Sequence, residues 1–134
     1  MSFPTREANI HFGCIFTVFL IWFLTLVPVR LAQRRAGFDN ANPRQQYANL
    51  SGWGSRAVAC SNNTFEAFGF FGIASLVHYL GNPSSTAGVV FCILFVAVRA
   101  IYPFLYIFDY SSTRSAVWVI GLACILGLFI DSFL

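Results

Sequence analysis

The sequence predicts an all-α integral membrane protein, a bundle of four transmembrane helices with little outside the bilayer. Composition is the first observation behind this. The chain is 57% hydrophobic and only 10% charged, with a mean hydropathy of +0.70, whereas a soluble domain carries about 25% charged residues. The second is the presence of four apolar runs of roughly the 20 residues that cross a hydrocarbon layer. The third is that turn-forming and arginine-bearing segments separate the runs. At 134 residues the chain holds one domain.

The first span is expected over residues 10–29, an uncharged run that Pro28 and the arginines after it should close. Residues 30–55 form the one long loop. It carries Arg30, Arg34, Arg35, Asp39 and Arg44, and its turn-rich core reads GFDNANPRQQ. The second span is expected over 56–80, polar in its first half and apolar in its second. GNPSS then makes a tight turn. The third span, 87–108, is apolar apart from Arg99 and contains Pro103; the fourth, 115–131, ends at Asp131.

All eight basic residues are arginines, and their placement orients the chain. The first loop holds four, the third holds Arg114 and the second holds none. The positive-inside rule therefore puts the first and third loops in the cytoplasm and both termini on the other side. The small net charge of +3 comes mainly from one loop and gives no sign of nucleic-acid binding. Cys14, Cys60, Cys92 and Cys124 lie in apolar surroundings with no CxxC pair, so they read as small hydrophobes. His11 and His78 read as isolated residues near the far interface, too separate to bind metal. Trp118 reads as part of an interfacial aromatic belt.

Two charges stand inside predicted spans, where charge is costly and usually paired or functional. Glu66 and Arg99 lie at similar depth on antiparallel helices, so they could pair. One reading is an ion pair clamping the helices; another is a polar cavity that holds a ligand. Helical spacing adds Arg56 and Asn63 to the Glu66 face, and Tyr102 and Tyr106 to the Arg99 face. Both stripes open toward the cytoplasmic end, where Arg34, Arg35 and Arg114 could rim a pocket. Arginine, asparagine and tyrosine together suit a polyanionic small molecule and could stabilise a bound thiolate.

These residues resemble the MAPEG family, the membrane-associated proteins of eicosanoid and glutathione metabolism. The blocks DNANPRQQ, RAVACSNNTFEAF and RAIYPFLYIFDYSSTRSAVW stand in family order over nearly the whole chain. Arg56-Ala57, Asn63, Glu66 and Phe68 match the pattern on the second helix, and Arg99, Tyr102 and Tyr106 that on the third; Arg114-Ser115 follows. The resemblance implies a homotrimer of four-helix subunits in membrane lipid. It implies glutathione bound between subunits by Arg56, Asn63, Glu66, Arg99, Tyr102 and Tyr106, with Arg30 or Arg34 from the neighbour. Arg114 and Tyr106 would stabilise the thiolate that attacks a lipophilic small molecule. One position departs from the glutathione-using pattern: the arginine expected two turns before the glutamate is Ala59, which removes a carboxylate partner. Gly69 stands where the family proline is expected. The alternative is a non-catalytic lipid- or metabolite-binding member, or an accessory subunit of a larger membrane complex. A bacterial inner membrane and a eukaryotic endomembrane are both open.

Overall fold

The computed structural model describes residues 6–134, and they are all-helical, without a strand. In chain order the helices are α1 (Arg6–Arg35), α2 (Pro43–Asn49), α3 (Gly52–Gly81), α4 (Thr86–Ile107) and α5 (Ser111–Asp131). Among the described residues, α1, α4 and α5 are long and apolar enough to cross a membrane. The fourth long helix, α3, has the length, about 45 Å at 1.5 Å per residue, but not the apolarity. Arg56, Asn62, Asn63, Thr64 and Glu66 make its first half polar, and Ser75, His78 and Tyr79 dilute its second.

Helix α1 does not stop at Pro28 as its sequence suggests. It continues two turns further, to Arg35. Proline removes one backbone donor, a loss that transmembrane helices tolerate, and the arginines beyond it are good helix formers. The actual stop is Gly37, whose left-handed φ of 80° is open to a residue without Cβ. Its amide donates to the Arg34 carbonyl at 3.3 Å. Helix α4 likewise runs through Pro103 to Ile107. Pro28 and Pro103 face one apolar groove between α1 and α4, with Leu24, Thr25 and Phe104.

The long loop is more ordered than its composition suggests. The Asp39 carboxylate accepts from the amides of Ala41 (2.9 Å) and Asn42 (3.1 Å), and Pro43 opens α2. Gln46 on α2 then donates to the carbonyls of Gly37 (2.7 Å) and Gln33 (3.2 Å). Its Oε1 accepts from the fully buried Gln33 side chain at 3.1 Å. One glutamine thus folds the loop back onto the end of α1.

Helix α1 packs chiefly on α3, and α4 on α5; α4 also touches α1 and α3, and α3 touches α5. Val18, Phe71, Phe95 and Leu128 are wholly buried at the centre, where the Phe71 and Phe95 rings stack at 4.1 Å. Ala67, Ala74, Cys92 and Cys124 fill the rest of that core. Small residues let helix backbones approach, which matters in lipid, where there is no hydrophobic drive between helices. Large apolar side chains face outward instead: Phe16, Leu24, Phe70, Ile73, Phe104 and Ile130 are all more than half exposed. Such a surface suits lipid or another subunit.

Candidate functional site: an arginine-tyrosine cleft

Arg99 lies on α4 in the half that runs toward Ile107 and is 3% exposed. Its Nη1 donates to Asn63 Oδ1 on α3 at 3.0 Å. The guanidinium lies 4.6 Å from the Tyr102 ring centroid and 5.5 Å from that of Phe95. A buried cation without partners would be strongly unfavourable; here one amide oxygen and two ring faces offset that cost.

The i, i+3, i+7 spacing of Arg99, Tyr102 and Tyr106 carries the arrangement along α4. Tyr102 is buried and meets Tyr106 edge to face at 5.6 Å. Arg114, from the first turn of α5, closes the row with its guanidinium 4.3 Å from the Tyr106 ring centroid. Arg99, Tyr102, Tyr106 and Arg114 therefore form one continuous cation–ring–ring–cation row.

Glu66 does not pair with Arg99. Among the described residues the ion pairs are Arg56–Asp109 and His78–Asp131. Similar depth is insufficient because the side chains diverge: Arg99 turns to Asn63 and the tyrosines, while Glu66 points outward and is exposed. Both still line one cleft of about 130 Å³, with Asn63, Ala67, Phe70 and Trp118. The α5 lining of Trp118, Leu122 and Ile125 was legible only as i, i+4, i+7 spacing on an otherwise plain apolar helix. Trp118 thus lines this cleft rather than serving only as a belt residue.

The other predicted site residues lie elsewhere. Arg56 sits one end further along, where Nε donates to the Ile107 carbonyl at 3.1 Å and Nη1 lies 3.8 Å from Asp109 Oδ2. It caps the C-terminus of α4, a favourable place for a cation. Arg30 and Arg34 lie on a separate exposed face of α1 with Phe23 and Leu31. Arg30 donates to Gln33 Oε1 at 2.9 Å. One chain brings together Asn63, Glu66 and Arg99, and joins Arg99 to Tyr102, Tyr106 and Arg114. It does not bring Arg30 or Arg34 to them. Arg35, a further predicted rim residue, stacks on Trp53 at 5.3 Å instead.

Cys60 is buried one turn from Asn63, with the Thr64 hydroxyl donating to its carbonyl at 2.8 Å. The histidines do not stay isolated. His11 Nε2 and His78 Nδ1 are 2.9 Å apart at the opposite end of the helices, although 67 residues separate them in sequence.

The family model of the MAPEG family matches residues 10–134, nearly the whole chain. No curated protein and no solved structure matches it.

Proposed function

The chain belongs to the MAPEG family, and from that premise we propose that it is a glutathione-dependent transferase or peroxidase acting on lipophilic electrophiles. Membership and three long apolar helices make it an integral membrane protein of a family whose members include such enzymes. The observation that carries the finer reading is the Arg99–Tyr102–Tyr106–Arg114 row beside Asn63 and Glu66.

The fit to glutathione divides into chemistry and size. The polar groups suit a tripeptide with two carboxylates and an ammonium group: Arg99 and Asn63 can donate to the former, and Glu66 can accept from the latter. Size does not suit a single chain, since ligand pockets run from about 300 Å³ upward and this cleft is less than half that. An outward-facing cleft completed by a second copy resolves the mismatch. The working form is then a homotrimer of four-span subunits, with α3 shielded from lipid by its neighbours. Arg30 and Arg34 of one copy reach the cleft of the next.

Glutathione supplies a thiol that acts as a nucleophile once ionised. Arg114 and Tyr106 favour the thiolate, as a cation and a hydrogen-bond donor do at other low-pKa thiols. The acceptor molecule enters from the bilayer past Phe70 and Trp118. In this reading the Arg-bearing loops face the cytoplasm and both termini lie opposite, as the positive-inside rule expects.

Ala59 favours a second reading, a non-catalytic member that binds a lipid or metabolite or serves in a larger membrane assembly. Calorimetry of the purified protein with glutathione, alongside ultraviolet absorbance of the thiolate, separates the two. Saturable binding with a thiolate signal supports the enzyme. No heat at millimolar glutathione would sink it.

A further inference from the structure

At the end opposite the arginine cleft, three polar side chains from three helices form a hydrogen-bonded chain. His11 Nδ1 lies 2.8 Å from the Glu7 carbonyl within α1. His11 Nε2 lies 2.9 Å from His78 Nδ1 on α3. His78 Nε2 lies 2.8 Å from Asp131 Oδ2 at the end of α5. Both rings are fully buried, and they lie nearly parallel, 10° apart in plane. The Asp131 side chain is 15% exposed, which connects the chain to solvent.

The site is built to hold His78 in place. A Cβ on Gly88 would overlap the His78 ring, so only glycine at that position of α4 admits the imidazole. Asn82 Nδ2 donates to the Asp131 carbonyl at 3.0 Å and fixes the end of α5.

Counting protons gives the consequence. Each of the three contacts needs one proton between its two heavy atoms. The Glu7 carbonyl only accepts, so His11 Nδ1 must carry a proton. An ionised Asp131 also only accepts, so His78 Nε2 must carry one. Two neutral imidazoles have then spent both their N–H groups. The buried His11–His78 gap would be left with two lone pairs facing at 2.9 Å. A third proton fills that gap and gives the ring pair one positive charge. Asp131 balances that charge, which burial otherwise disfavours. A carboxyl group is a far weaker base than imidazole, so the extra proton belongs to the rings.

We propose that His11, His78 and Asp131 form a proton-holding clamp, in which two imidazoles share one added proton against one carboxylate and so tie α1, α3 and α5 together. The ligand of this second site is a proton, exchanged with solvent through Asp131. The ionisable groups around it are Glu7 on α1, Tyr79 on α3, whose ring lies 5.9 Å from His11, and Asp131 on α5. At the start of α4 the hydroxyl of its N-cap Ser85 and the Gly88 amide face the carboxylate. Loss of the shared proton leaves one contact unmade and loosens the hold of α1 on the other two helices.

The chain contains two histidines, so histidine labelled with ¹⁵N in the ring alone reports on just their four ring nitrogens. In the full-length protein in nanodiscs at about pH 6, near the ordinary histidine pKa, the ¹⁵N shifts should account for three protons over those four nitrogens. Two protons, meaning neutral rings, would overturn the proposal, and so would four, meaning independent imidazolium groups. Asp131→Asn keeps a hydrogen-bonding side chain but removes the balancing charge. At the same pH its count should fall to two; a count that stays at three would also overturn the proposal. The wild-type measurement stands whether or not the variant folds.

Discussion

At one end of the molecule Arg99 rests on tyrosine and phenylalanine rings with Asn63 as its hydrogen-bond partner, beside an exposed Glu66 and an exposed Trp118. At the other end His11 and His78 are fully buried, hydrogen-bonded on every ring nitrogen, and closed over by α4. Both ends place ionisable groups in an apolar protein. The arginine end leaves groups on an open face, where a ligand or a neighbouring subunit can meet them. The histidine end satisfies its groups internally. Openness rather than the mere presence of charge separates a candidate binding site from an internal tie.

The largest effect should come from Gly88→Ala. The added methyl displaces His78 and breaks both of its contacts, so overpacking and lost charge-assisted hydrogen bonds act together. A loss of about 3 kcal/mol or more is expected, read from unfolding in mixed SDS micelles. Wild-type stability would show that the closed end is not closed. Arg99→Met should separate the ends in the opposite sense. It keeps most of the side-chain volume and removes a buried cation, so stability should change by no more than about 1–2 kcal/mol. Glutathione binding, by contrast, should weaken at least tenfold, about 1.4 kcal/mol, in calorimetry. A collapse of the fold with this variant would make Arg99 a structural element first.

Ala59→Arg tests whether the open end can take glutathione. Ala59 precedes Asn63 and Glu66 by four and seven residues, on the same helical face. One added charge-assisted contact should raise glutathione affinity roughly tenfold. No gain in titration calorimetry favours the non-catalytic reading. The smallest effect lies in the loop that joins α1 to α2. The amide and side chain of Asn42 hold the Asp39 carboxyl below the usual carboxylate range. Its contribution is therefore complete above the ordinary aspartate value and is lost as pH falls through the lowered one. Asp39→Ala should speed hydrogen exchange at the Ala41 and Asn42 amides while leaving the four long helices unchanged. Protection that spreads or fails beyond the loop would show that it supports more than itself.

Helices α1, α4 and α5 were legible because an apolar run of that length has few alternatives in lipid. Their ends were less so, since Pro28 reads as a stop whereas Gly37 supplies it. Helix α2 was not legible: seven residues carry little periodicity, and Gln46 holds it through contacts with Gln33 and Gly37. In the candidate site, the Arg99–Tyr102–Tyr106 stripe could be read from spacing alone. Arg114 and Trp118 join it from another helix, which spacing cannot show. Arg56 shares a helical face with Asn63, yet the end of α4 engages it first.

The sequence by itself determined the solvent of this protein, the place of its long helices and the residues of the arginine stripe. Those follow from composition and from periodicity within single helices. Tertiary structure alone decided the partners. It turned Arg99 to Asn63 instead of Glu66, left Arg30 and Arg34 on a separate face, and brought His11, His78 and Asp131 into one chain. Pairing between helices depends on their rotation and on side-chain direction, and a single glycine at position 88 can set it where no local pattern does.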